Sequence, residues 1–193
     1  MPADNAAEMY LPHFVVKQKL TMMVNRYEVS ESDEAGNPTR LMALAEQKRM
    51  ALKEQVTFFS DASRSRPVFG FKARRRLDLN AGYDVTDEGG AQIGFFRKDF
   101  GASLLRSTFH VEGPGYAGSG QERSQFYGLL RRFTDLAFLP IHFDFLDTEG
   151  RPLFSVERKM SIGDRYRVTV PDQRVDFRVA AAVAVALDAL MAR

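Results

Sequence analysis

Short runs of alternating apolar and polar residues, each closed by a cluster of Asp, Glu, Gly or Asn, recur along this chain. Tyr83-Asp84-Val85-Thr86 reaches Asp87-Glu88-Gly89-Gly90, resumes at Ile93 and ends on Arg97-Lys98-Asp99-Phe100. Sixty positions later, Phe143-Asp144-Phe145-Leu146 reaches Asp147-Thr148-Glu149-Gly150, resumes at Leu153 and ends on Glu157-Arg158-Lys159-Met160. A looser copy with an insertion begins at Tyr27-Glu28-Val29, turns at Asp33-Glu34-Ala35-Gly36-Asn37 and ends on Gln47-Lys48-Arg49-Met50. Alternation of period two, broken by turn residues, predicts β-hairpins. Repetition of one hairpin unit predicts an architecture assembled from such units.

The same pattern predicts strands from Phe14 to Leu20, Gln55 to Phe59, Val68 to Leu79, Leu104 to Val111 and Tyr166 to Val170. Residues 41–50 carry Leu41, Met42, Leu44 and Ala45 at a spacing a helix also allows, and the match to the other copies decides for a strand. Glu112 to Gly120 holds five Gly or Pro residues in nine and reads as a loop. Ser119 then stands three residues before Glu122, a capping-box pattern. Phe126, Leu129, Leu130, Phe133, Leu136 and Ala137 follow at helical spacing, which predicts an amphipathic helix over 120–137, stopped by Pro140.

The last segment differs in kind. Val179 to Leu187 is nine apolar residues without a break, mostly Ala and Val, and Asp188 interrupts it before Ala189-Leu190-Met191-Ala192. A helix apolar on nearly every side belongs inside protein or membrane. From 179 to 192 it would be about 21 Å long, short of the roughly 20 residues a bilayer core needs. Burial within its own domain is the expectation. A thin rod of small side chains fits the lumen of a closed β-barrel.

At 193 residues the chain is one domain of ordinary size. Residues 1–10 read as a flexible N-terminal tail without a signal-peptide pattern, and 11–193 as a single barrel domain. There is no cysteine, which excludes disulfides, thiolate metal sites, cysteine nucleophiles and palmitoylation, and suits a reducing cytoplasm. Sixteen Phe and no Trp suit a core of aromatic pairs across strands. A net charge of +2 means that any electrostatic function must come from local clustering.

Repeated hairpins followed by an apolar C-terminal helix form a familiar combination. Through Val16-Lys17-Gln18-Lys19, Tyr83-Asp84-Val85-Thr86-Asp87, Arg97-Lys98, Phe145-Leu146-Asp147, Glu157-Arg158-Lys159-Met160, Asp164-Arg165-Tyr166 and the run Val179 to Asp188, the chain resembles the LURP-one-related family. That family lies within the tubby C-terminal-like superfamily, which also holds the phospholipid scramblases. The resemblance covers nearly all of the chain from about residue 12. It implies an all-β fold with one helical core element: a tubby-like antiparallel barrel of about twelve strands enclosing the C-terminal helix 176–192. The helix at 120–137 would be an insertion. Tubby-type relatives bind phosphoinositides through basic wall residues, and scramblases move phospholipids between leaflets. The cysteines, Pro-rich region and acidic calcium segment of scramblases have no counterpart here. No tubby lipid-binding residue transfers to a named position.

The densest charge feature is Arg64, Arg66, Lys72, Arg74, Arg75 and Arg76, with no acidic residue between Ala62 and Leu77. On a strand, Lys72, Arg74 and Arg76 share one face and Phe69, Phe71, Ala73 and Arg75 the other. Cations in a row suit phosphate groups, because Arg offers a planar fork to oxyanions. A solvated strand face paired to acids on neighbouring strands explains the same residues, and nucleic-acid phosphates are a third reading.

The acidic turns at 84–88 and 144–149 invite a calcium reading but lack the twelve-residue ligand loop, and turn chemistry accounts for them. His13, His110 and His142 stand in no metal spacing. No serine lies in a nucleophile elbow, and the Gly-rich 113–120 stretch lacks a phosphate-loop ending. Asp188 needs a partner if buried. The expectation is a non-enzymatic binding module for anionic phospholipid headgroups at a membrane surface, cytoplasmic or peripheral to the membrane, with no cofactor or metal and no transmembrane span. A regulatory protein-interaction scaffold docking through the 120–137 helix, scramblase-like activity, and an enzyme acting in a pocket beside the barrel are the other readings.

Overall fold

The computed structural model describes residues 9–20, 24–48, 55–75, 82–99, 108–123, 141–159 and 165–191. Across these the chain forms β1 (His13–Leu20), β2 (Val24–Ser32), β3 (Pro38–Lys48), β4 (Gln55–Phe59), β5 (Pro67–Ala73), β6 (Tyr83–Asp87), β7 (Gln92–Asp99), β8 (Thr108–Gly113), β9 (Tyr116–Glu122), β10 (Ile141–Asp147), β11 (Pro152–Lys159) and β12 (Arg165–Thr169). Every strand pairs antiparallel with its chain neighbours, and β1 pairs with β12, so the sheet closes into a barrel. One helix, α1 (Phe177–Met191), follows the last strand.

The expected alternation is realised strand by strand. Phe14, Val16, Tyr27, Val29, Phe58, Phe96, Phe109, Phe143, Phe145, Val156, Tyr166 and Val168 are fully buried. Aromatic pairs span adjacent strands, with Phe58 on Phe69 and Phe145 on Phe154 each stacked at 4.2 Å and Tyr83 on Phe96 at 5.0 Å. Each such pair contributes about 0.5–1.5 kcal/mol beyond area burial.

The remaining lumen is filled by α1. Val179 through Leu187 are all at most 2 % exposed, as an all-apolar helix requires. Close approach of rod to wall needs small residues on both sides. Gly94 on β7 faces Val179, and a Cβ at position 94 would lie 2.6 Å from a Val179 methyl.

The repeated turns share one bonding pattern. In all three, an Asp amide donates to the carbonyl four residues on, at 2.9–3.1 Å: Asp33 to Asn37, Asp87 to Ala91, Asp147 to Arg151. The same Asp accepts through its side chain from the amides of Asn37, Ala91 and Arg151 at 2.8–2.9 Å. Gly36, Gly90 and Gly150 hold φ of 86°, 83° and 80°, the left-handed region that an L side chain resists. Each hairpin also carries a register shift near its turn, between Val29/Ser30, Val85/Thr86 and Phe145/Leu146.

Two expectations are corrected. Glu112 to Gly120 is no loop: β8 and β9 form a hairpin across it, turning at Pro114-Gly115. Ser119 and Glu122 lie within β9, and Gly120, Gln121 and Glu122 pair with Phe145, Asp144 and Phe143. No helix therefore starts at 120 and no capping box forms. The rest of that expected helix, 124–137, lies outside the described residues, as do 104–107 of the strand expected before β8. β5 ends at Ala73, short of the expected Leu79.

The β6–β7, β8–β9 and β10–β11 turns contact the start of α1 or the segment that leads to it. Asp176 caps the helix, its carboxylate accepting from the Arg178 amide at 2.9 Å. Arg178 folds back onto Asp176 at 2.7 Å and reaches Glu88 of the β6–β7 turn at 3.5 Å. Arg174, in the β12–α1 connection, holds Asp172 at 2.6 Å, Asp147 at 3.4 Å and the Gly115 carbonyl at 2.9 Å. Met9 and Tyr10 pack against the core, and the Phe177 amide donates to the Met9 carbonyl at 2.9 Å. At the other end of the barrel, most of each connection lies outside the described residues.

Candidate anion-binding wall

The lumen is occupied by α1, and the predicted basic residues lie on β5 and in the segments that flank it. Phe69 and Phe71 turn inward, at 1 % and 2 % exposure, and Lys72 between its neighbours turns out and is exposed. That alternation is the one the sequence predicts.

The six cations do not form one patch. Arg64 and Arg66 sit in the β4–β5 turn, Lys72 lies near the end of β5 and Arg74 and Arg75 just beyond it, so about 20 Å of extended backbone separates the two groups. Arg76 lies outside the described residues. Arg64 adopts a φ of 56° in a turn organised by Asp61, which accepts from the Ser63 amide at 2.8 Å. Its guanidinium lies 3.2 Å from Glu46, and Arg26 holds the other oxygen of that carboxylate. The Arg66 side chain is exposed, its carbonyl accepting from the Ser60 amide at 3.0 Å.

At the other end of β5, Lys72 is the backbone partner of Asp84, yet Arg74 takes that carboxylate, at 2.8 Å. Hydrogen bonding to Asp84 raises the Arg74 pKa further. The same guanidinium lies 4.0 Å from the centroid of the Phe95 ring, which is only 7 % exposed. Arg74 thus clamps the outer side of β6 and β7. Among the described residues, Arg66 and Lys72 make no ion pair. Arg75 is exposed.

The other polar features resolve into local structure. Asp87 and Asp147 spend their carboxylates on turn amides. Turn hydrogen bonds to Arg151 pull the Asp147 pKa down to about 2. His142 lies 3.3 Å from Asp144 and His110 3.5 Å from Asp99, both half-buried on the outer wall. Residue 188 lies in α1, and its side chain is outside the described set.

Sequence reasoning missed the cations brought together by closure. Lys17 on β1 and Arg165 on β12 are direct partners in the ladder, with Arg167 two residues on. They stand 148 positions apart in the chain, and only pairing of the first strand with the last could have signalled them.

A family model described as LURP-one-related matches residues 42–188. No curated protein matches the chain. Among solved structures, the chain is similar to a porin-like protein from Bacteroides uniformis at 9 % identity and a TM-score of 0.23, over 84 % of this chain and 97 % of that one. A likeness of that size carries no argument about fold or activity.

Proposed function

The chain belongs to the LURP-one-related family, and we propose that it is a non-enzymatic binding module for anionic phospholipid headgroups at a membrane surface. One observation carries this reading. Arg66 in the β4–β5 turn and Lys72 on the wall of the filled barrel are exposed and have no acidic partner among the described residues. Each cation near an anionic membrane surface contributes about 1 kcal/mol of attraction. Arg64 and Arg74, held by Glu46 and Asp84, shape the wall rather than face a ligand. No helix among the described residues is long and apolar enough to cross a membrane.

The test is vesicle co-sedimentation of the full chain at low and physiological salt. Vesicles of neutral phosphatidylcholine are compared with vesicles carrying phosphatidylserine or phosphatidylinositol phosphates. Binding is expected only to the anionic vesicles. It is expected to fall as salt rises and to be lost in an Arg66→Ala/Lys72→Ala variant that remains folded. Equal binding to neutral vesicles, or undiminished binding by the variant, overturns the reading.

A further inference from the structure

We propose that the seam where the first strand meets the last is a separate binding site for a phosphate group, built from Lys17, Arg165 and Arg167. It does not rest on the Arg66/Lys72 reading.

The argument begins with pairing. Lys17 and Arg165 sit directly opposite each other across β1 and β12. Phe14, Val16 and Gln18 on one strand and Tyr166 and Val168 on the other are buried inward, so both cations face out. Directly opposed side chains on antiparallel strands have Cβ atoms about 4.5–5.5 Å apart, and like charges there repel. Among the described residues no carboxylate makes an ion pair with the opposed cations. Glu28, the partner of Lys17 on β2, is taken by Lys19 at 2.6 Å. Glu157 on β11, opposite Arg167, is the nearest free carboxylate in register and pairs with none of the three.

The second observation is that the wall beside this pair is built over. Arg167 donates to the Glu34 carbonyl, which places the β2–β3 turn across β1 and onto β12. Gly36 at the tip packs on that side chain: its Cβ position is 3.6 Å from Arg167 Cδ and 3.7 Å from Nε, ordinary contact distances. Val15, between the turn and Arg167, is 3 % exposed and lies outside the luminal core. The turn therefore holds Arg167 on the same outer face as Lys17 and Arg165.

Third, one guanidinium nitrogen of the site lacks an acceptor: Arg167 Nε is buried without a partner. Unsatisfied buried polar atoms are rare enough to require a reason. An oxyanion supplies what is missing: negative charge for the opposed pair and several acceptor oxygens. A phosphate monoester matches an Arg fork flanked by a Lys point charge. It comes either as a free phosphorylated molecule or as a lipid headgroup.

The test follows amide shifts of the full chain by NMR as inorganic phosphate, and then soluble inositol hexakisphosphate, is added at constant ionic strength. Saturable shifts are expected along 15–19 and 165–169. In Lys17→Gln/Arg165→Gln, affinity is expected to fall at least about tenfold. In Arg66→Ala/Lys72→Ala it is expected to stay unchanged, which separates failure of this site from failure of the wall reading. The seam variant is also expected to melt at a higher temperature than wild type in phosphate-free buffer, since the repulsion is gone, and to lose the phosphate-dependent rise in Tm. Glu157→Gln is expected to tighten binding. Vesicles bearing phosphatidylinositol phosphate, compared with the soluble inositol phosphate, identify the source by which of the two depends on Lys17 and Arg165. Absence of saturable shifts, or shifts that survive in Lys17→Gln/Arg165→Gln, overturns the site.

Discussion

Gly94 and Val179 meet where the rod touches the wall, and a methyl on Gly94 would stand 2.6 Å from one Val179 methyl and 3.1 Å from the other. The fit is a shared property of strand β7 and helix α1. Gly94→Ala is expected to destabilise the fold by about 1–3 kcal/mol, the usual cost of overpacking. Val179→Ala opens space at the same point, so the double variant is expected to lose less than the two single losses combined. Urea unfolding of the four proteins measures this, and strict additivity would refute the contact.

Asp147 ties the β10–β11 turn to its own amides and to Arg151 and Arg174. Its pKa in the fold is about 2, below the value of about 3.9 for a free carboxylate. The unfolded chain therefore takes up this proton first as pH falls. The stabilisation is complete above about pH 4 and drains away between about pH 4 and pH 2. Asp147→Asn is expected to be less stable at neutral pH and to show a shallower loss over that interval. Acid titrations followed by circular dichroism would show parallel curves if the idea is wrong.

Tyr116 carries its hydroxyl into the barrel rim without a partner. Burial, with Asp176 and Asp172 nearby, pushes its pKa upward. An unsatisfied buried hydroxyl costs about 1–3 kcal/mol. Tyr116→Phe is therefore expected to raise stability by about 1 kcal/mol, read as a higher urea midpoint with an unchanged slope. A lower midpoint would mean that the hydroxyl has a partner.

Arg74 and Lys72 are close in sequence and opposite in role. Arg74→Ala removes the Asp84 pair and the contact over Phe95 and is expected to cost about 1 kcal/mol, mostly from the ring contact, because exposed ion pairs contribute little. Lys72→Ala is expected to leave thermal stability within about 0.5 kcal/mol of wild type. Equal losses would put Lys72 into the wall's structure.

Local chemistry explains what the sequence made legible. The Asp and Gly of each turn satisfy one another within five residues, so the hairpins announce themselves without knowledge of the rest. The Ala- and Val-rich terminal helix likewise declares that it must be buried. β9 was hidden because its glycines look like loop residues. They are small because the barrel presses on them: a Cβ at Gly120 would lie 2.5 Å from the Phe145 ring. The site was harder to read. Arg64 looks uncompensated until β3 brings Glu46 alongside it, and Arg74 until β6 brings Asp84. The Lys17–Arg165 pair does not exist until the barrel closes.

That closure also orders events in time. The ladder joins His13 to Thr169, and the rod that fills the lumen comes later still in the chain. A polypeptide emerging from a ribosome can pair its hairpins one after another. It cannot finish its wall until β12 has been made, and the filling follows β12. Until then a curved sheet presents its phenylalanines to the cell. Synthesis is thus the chain's most exposed hour, and a truncation that removes α1 is expected to leave a chaperone-bound sheet in place of a smaller barrel.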